Sequence, residues 1–216
     1  MTSKILFVTV GEKLDPIYEG FKRIKDVNEV VYLVSNKTRE NAEKLSKEFS
    51  NLYISNIVEI DPKNLDKSIN KIIKTQETLR NYIIYNLSGG TKVMILACYI
   101  IACFKNQKAF YVFKKDDGNM EFTEVPILKF DLHNIVNKDK RAYKILNLLK
   151  NSPLQVTELA EKMKLEKSTV SGHIDKLENQ LGFIEREPID KRSSKLKLTK
   201  TGEITLNIIG GIDGRV

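Results

Sequence analysis

Cysteine and histidine are scarce in this chain, and their scarcity removes whole classes of chemistry. Cys98, Cys103, His133 and His173 are the complete set among 216 residues. Two cysteines five residues apart in an apolar segment make no disulfide framework and fit no usual zinc spacing, so no metal site is expected. Reduced thiols packed as small hydrophobes suit a cytoplasmic protein. Long apolar runs are missing too. No stretch reaches membrane-spanning length, and the apolar run at residues 5–10 is too short for a signal peptide and lacks a cleavage site, so it reads as a buried strand. Repeats, low-complexity segments and both common nucleotide fingerprints are absent: GxxxxGK[ST] would need a glycine immediately before the lysine, and GxGxxG does not occur.

What is present is a globular composition, 41% hydrophobic and 30% charged, in a chain long enough for two ordinary domains. The formal net charge is +8, which raises the prospect of a polyanionic partner. Lys and Arg number 20 against 17 acidic residues up to residue 137, and 16 against 11 after it. The smaller piece is the more basic.

Apolar strand-like runs at residues 4–10, 29–34, 53–60, 82–87 and 108–113 alternate with segments of helical spacing at 14–25, 38–49, 64–80 and 91–104. Such alternation predicts parallel strands with crossover helices on both faces. Residues 122–127 are expected to add an edge strand after the turn signal Asp116-Asp117-Gly118-Asn119. Near Asn137 the pattern changes to a helical stripe of Ala142, Ile145, Leu146 and Leu149, ended by Asn151-Ser152-Pro153. The fold class expected is therefore α/β: a Rossmann-like, mainly parallel sheet sensor domain over residues 1–134, followed by a small α+β winged helix-turn-helix domain over 135–216.

In the second part, Thr157 is placed to cap a helix carrying Leu159, Ala160 and Met163. After a turn at Leu165, Val170, Ile174, Leu177 and Leu181 recur on one face of a second helix that Gly182 is expected to end. The opposite face, with Lys167, Ser168, Thr169, Ser171, Gly172 and Lys176, suits phosphates and base edges in a major groove. Residues 183–186 and 195–198 alternate as a hairpin, and Lys191 and Arg192 at its tip, with Lys195, form a basic wing. His173 lies beside the buried stripe and is expected to be structural. Residues 204–209 fit either a dimerising helix or, with Gly210-Gly211, the approach to a flexible tail.

In the first part, the fourth strand ends in NLSGGTK, residues 86–92, directly before an apolar helix. Ligands of open α/β sheets bind beyond the C-terminal strand ends, where Gly89 and Gly90 let main-chain amides approach an anion at a helix N-terminus. Ser88 and Thr91 offer hydroxyls and Lys92 a charge. Thr9, Gly11, Glu12 and Asp15, after the first strand, should share that rim and face a base or ribose.

The run STVSGHIDKLENQLGFIER, the basic wing and the LTKTG that follows resemble MarR-like winged helices of transcription regulators, although Gly172 stands where that family often has arginine. The Thr9-x-Gly11 loop and the strand-ending NLSGGTK resemble the CARF domains of CRISPR-associated proteins. Together they resemble the archaeal CRISPR regulators that join these two domains. That resemblance implies a homodimer whose paired sensors hold a cyclic oligoadenylate, cyclic tetra-adenylate first, through Thr9, Gly11, Glu12, Asp15, Ser88, Gly89, Gly90, Thr91 and Lys92, and which responds by altering its grip on double-stranded DNA. The alternatives are a metal-independent ring nuclease that cleaves its own ligand, with Ser88, Thr91 and Lys92 aligning a ribose hydroxyl on the adjacent phosphate, or a regulator with an unrelated effector. An RNase effector resembling the CARF proteins joined to HEPN domains fits poorly, because those carry an arginine four to six residues before a histidine and neither His133 nor His173 has one there.

Overall fold

The computed structural model describes residues 4–79, 82–128, 140–190 and 193–213. The chain divides into two compact units, Met1–Phe130 and Asp131–Val216.

In the first unit β1 (Lys4–Thr9), β2 (Val27–Val34), β3 (Ile54–Glu59), β4 (Tyr82–Asn86), β5 (Lys108–Lys114) and β6 (Met120–Val125) form one sheet in the order β3-β2-β1-β4-β5-β6. Every pairing is parallel except β5 with β6. The helices α1 (Asp15–Arg23), α2 (Arg39–Glu48), α3 (Leu65–Glu77) and α4 (Lys92–Lys105) make the crossovers. β1 lies at the centre and is covered on both faces, which is why it reads as a continuous apolar run: Ile5, Leu6, Phe7 and Val8 are all fully buried. On one face Leu6, Val8, Tyr32 and Phe110 pack with Ile17 and Phe21 of α1 and Leu45 of α2, each fully buried side chain contributing about 1.5–3 kcal/mol. α3 and α4 bury Ile69, Ile72, Ile73, Ala97, Cys98 and Ile101.

Gly20 lets α1 settle close to the ends of β4 and β5, since a Cβ there would stand 2.5 Å from Asn86 Nδ2 and 3.1 Å from Phe110. The β5–β6 turn forms at the expected residues, with Gly118 at φ +87°. The edge strand, however, ends at Val125 rather than residue 127. Pro126 has no N–H to give the ladder.

In the second unit α5 (Lys140–Asn151), α6 (Val156–Met163) and α7 (Lys167–Asp175) precede the hairpin β7 (Ile184–Pro188) and β8 (Ser194–Leu198), and α8 (Lys200–Asp213) follows. The stripe Ala142, Ile145, Leu146 and Leu149 is buried. Leu154 exchanges two main-chain hydrogen bonds with Leu196, at 3.0 and 2.8 Å, and so adds a third short segment to the wing sheet. Thr199 stitches the wing to α8: its hydroxyl donates to the Gly182 carbonyl at 2.6 Å and accepts from Gly202 N–H at 3.1 Å.

Three local expectations need correction. The cap of α6 is Gln155, not Thr157, because Glu158 reaches back to accept from Gln155 N–H at 2.6 Å and closes a reciprocal capping box. The second helix does not run regularly to Leu181. Lys176–Gln180 form a π turn closed by Leu181 N–H on the Lys176 carbonyl, so Val170, Ile174 and Leu177 are buried while Leu181 slips to the margin. Gly210 and Gly211 lie within the backbone of α8 rather than in a tail.

Candidate functional site

The chain leaves β1 towards β2 and β3 on one side and returns through α3 to β4 on the other, so β1 and β4 pair at the point where the winding of the sheet reverses. The loops beyond their C-terminal ends therefore lie where open α/β sheets generally bind their ligands. At this rim the two expected loops meet main chain to main chain. A Cβ on Gly89 would lie 2.8 Å from both Gly11 N and the Thr9 carbonyl oxygen, and one on Gly11 would lie 2.7 Å from Gly90 N. Gly90 adopts φ +85°, a conformation that side chains resist. Glycine is required here by approach and by dihedral together.

The side chains of this rim divide into two groups. Thr9 is fully buried and its hydroxyl donates to the Asn86 carbonyl at 3.2 Å. Ser88 gives its hydroxyl hydrogen to Asn86 Oδ1 and accepts from Val112 N–H at 2.8 Å. Neither hydroxyl faces outward as a donor, and what both supply is the shape of the loop. Thr91 caps α4 by accepting from Met94 N–H at 3.3 Å, and its own hydrogen is left to point elsewhere. Lys92, Glu12 and Asp15 are exposed, while Gly11, Gly89, Gly90 and Thr91 are half-buried. The first amides of a helix have no intrahelical acceptor, so the start of α4, where only Met94 N–H is capped by Thr91, brings the positive end of the helix dipole to this rim.

Two asparagines escaped sequence reasoning. Asn86, fully buried, accepts from Ser88 N–H at 3.0 Å and anchors the NLSGGTK turn. Asn41, on α2, donates to the Gly11 carbonyl at 2.9 Å and so holds the first loop from behind. A bond from a helix side chain to a distant main-chain oxygen leaves no mark in the sequence.

In the second unit α7 presents Lys167, Ser168, Ser171 and Gly172 as exposed, with Thr169 and Lys176 half-buried at the edge of the same surface. Asp175, which sequence reasoning passed over, is exposed among them. Behind this face Arg186 Nε donates to both carboxylate oxygens of Glu178 at 3.0 Å, tying the end of the helix to β7. The strands of the wing carry their own compensation, since Lys197 lies 3.3 Å from Glu185 and 3.8 Å from Glu187. At the tip Asp190 accepts from Ser193 N–H and Oγ at 2.8 and 2.6 Å. Lys195 is half-buried on β8, and the expected tip cations Lys191 and Arg192 lie outside the described residues.

Among the described residues no group of three or more His, Cys, Asp or Glu is placed to hold a metal ion, and no helix is long and apolar enough to cross a membrane. Fold and surfaces together define a class: a helix-turn-helix regulator that carries a Rossmann-like domain ahead of its DNA-binding unit. The chain belongs to the family of the Csa3 CRISPR-associated Rossmann-like domain, whose model matches residues 4–126. The model of the bacterial regulatory protein arsR family matches residues 139–186. This is accordingly a CRISPR-associated regulator with a winged helix-turn-helix domain. Among solved structures it is similar to the YusO protein from Bacillus subtilis, at 27% identity over 38% of this chain and 71% of that one, with a TM-score of 0.31. It is also similar to transcriptional regulator Tm0710 from Thermotoga maritima, at 27% identity over 38% of this chain and 62% of that one, TM-score 0.31, and to transcriptional regulator BldR from Sulfolobus solfataricus, at 22% identity over 38% and 61%, TM-score 0.33. A search of curated proteins found no match.

Proposed function

We propose that the rim between β1 and β4 binds a cyclic oligoadenylate, cyclic tetra-adenylate first, in a homodimer, and that binding shifts the affinity of the paired winged helices for double-stranded DNA. The observation that carries this reading is the contact of Gly11 with Gly89 and Gly90 at the switch point. It gathers main-chain amides, the first turn of α4 and the exposed Lys92 at one rim, and these suit a phosphate backbone that offers only acceptors. Glu12 and Asp15, at the same rim, suit ribose hydroxyls or adenine amino groups rather than phosphates. Dimerisation is supported by α4, which is apolar nearly all round and leaves Leu96 half exposed; such a helix buries a second face. In this dimer a ligand biases DNA binding only as far as it prefers one arrangement of the two units over another.

Isothermal titration of the purified chain with cyclic tetra-adenylate, cyclic hexa-adenylate and linear tetra-adenylate tests the reading. One cyclic ligand per dimer, bound by the unmodified chain and lost in Lys92→Ala while the melting temperature holds, is the expected result. A folded dimer that binds none of the three refutes the ligand. Product analysis on the same samples separates retention of the ring from its cleavage.

A further inference from the structure

Glycine in the middle of a helix needs a reason, because it destabilises that helix relative to alanine. Eight glycines have described surroundings, and seven supply the reason internally. Gly11, Gly20, Gly89 and Gly202 each sit where an added Cβ would stand within 3.0 Å of a neighbouring atom, and Gly90, Gly118 and Gly182 have positive φ. Gly172 has neither. It occupies the middle of α7, its φ is ordinary, it is exposed, and a Cβ built on it meets nothing within 4 Å. Nothing inside the chain is served by the missing methyl group.

Its place on the helix says what is served. Ser168 stands one turn before it, Lys176 one turn after it, and Ser171 adjoins it. This is the surface that the winged-helix reading, on which the inference rests, turns towards DNA. We propose that Gly172 marks the point of closest approach between α7 and the floor of the major groove, where the bare helix backbone receives the methyl group of a thymine. The only group that projects from a base pair into that groove as an apolar bump is the thymine methyl, and a Cβ at 172 would occupy its volume. Readout at this position comes from space that the protein leaves empty, and the long side chain expected in related helices has no room to act.

The test uses the full chain and a duplex that it selects from a random pool. Gly172→Ala should raise the melting temperature by a few degrees, as a helix-interior glycine replaced without strain does, yet weaken binding to the selected duplex by about tenfold or more. The slope of affinity against salt should stay unchanged, because no phosphate contact is touched. Replacing thymines one at a time with uracil, which lacks the methyl, should restore the variant to within about threefold of the unmodified chain at one position in each half-site. Unchanged affinity in Gly172→Ala, or a loss that no uracil position relieves, overturns the proposal while leaving the DNA-binding reading intact. Failure of the unmodified chain to select any duplex overturns both.

Discussion

At the rim of the first unit the decisive contacts are main chain against main chain: Gly11 meets Gly89 and Gly90, and two of the hydroxyls nearby are consumed inside the protein. On α7 of the second unit the surface consists of projecting side chains, with Lys167, Ser168 and Ser171 exposed. The difference separates two tolerances. A rim built from backbone approach fails when a side chain is added, even a small one far from any charge, whereas a surface built from projecting groups loses one contact at a time.

Breaking one unit without the other sharpens this comparison most. Gly202→Ala would set a Cβ 2.0 Å from the Phe183 carbonyl oxygen, a backbone atom that also accepts from Thr199 N–H at 3.0 Å. The second unit should lose its cooperative unfolding transition and the chain its affinity for DNA. Cys98 and Cys103 supply an independent readout of the first unit, since both are buried in α4 and burial pushes the Cys98 thiol well above its ordinary range. They should stay as resistant to alkylation in Gly202→Ala as in the unmodified chain. Labelling at the native rate of an exposed thiol would mean that the two units do not fold separately.

Gly89→Ala is the corresponding change at the rim. Its Cβ would press on Gly11 N and the Thr9 carbonyl at 2.8 Å, so the loops must separate at a cost of about 1–3 kcal/mol. Melting should fall by several degrees and titration with cyclic tetra-adenylate should show no saturable heat. A variant that melts as the unmodified chain does would show that the loops yield freely. The smallest effect is expected from Glu178→Gln, which removes a half-exposed ion pair with Arg186 worth less than about 1 kcal/mol. Stability should hardly move, and DNA affinity should fall only a few-fold as the wing loosens from α7. A loss as large as that of Gly202→Ala would place Arg186 in the interface itself.

Much of the architecture was legible before any coordinates. Strands buried on both faces need unbroken apolar runs, and helices on a sheet need one stripe, so β1, β4 and α3 announce themselves by period alone. The stripe Val170, Ile174 and Leu177 and the hairpin behind it were equally plain. The errors fall where two local solutions compete. At α6 both Gln155 and Thr157 offer a capping oxygen, and only the return of the Glu158 carboxylate to Gln155 N–H decides between them. After Asp175 the apolar spacing fits an unbroken helix, but the burial of Phe183 under the wing draws its N–H to the Leu177 carbonyl and a π turn takes up the mismatch.

By itself the sequence determined the order of elements, the division into two units, the glycines of the rim and the outward face of α7, because each follows from spacing along a single segment. Only the tertiary structure decided how those pieces act. Burial committed the Thr9 hydroxyl to the Asn86 carbonyl and the Ser88 oxygen to Val112 N–H, the pairing of β1 with β4 brought Gly11 against Gly89, and Asn41 reached the first loop from another helix. These are contacts between segments tens of residues apart. They depend on which strand lies beside which, and no local pattern carries that information.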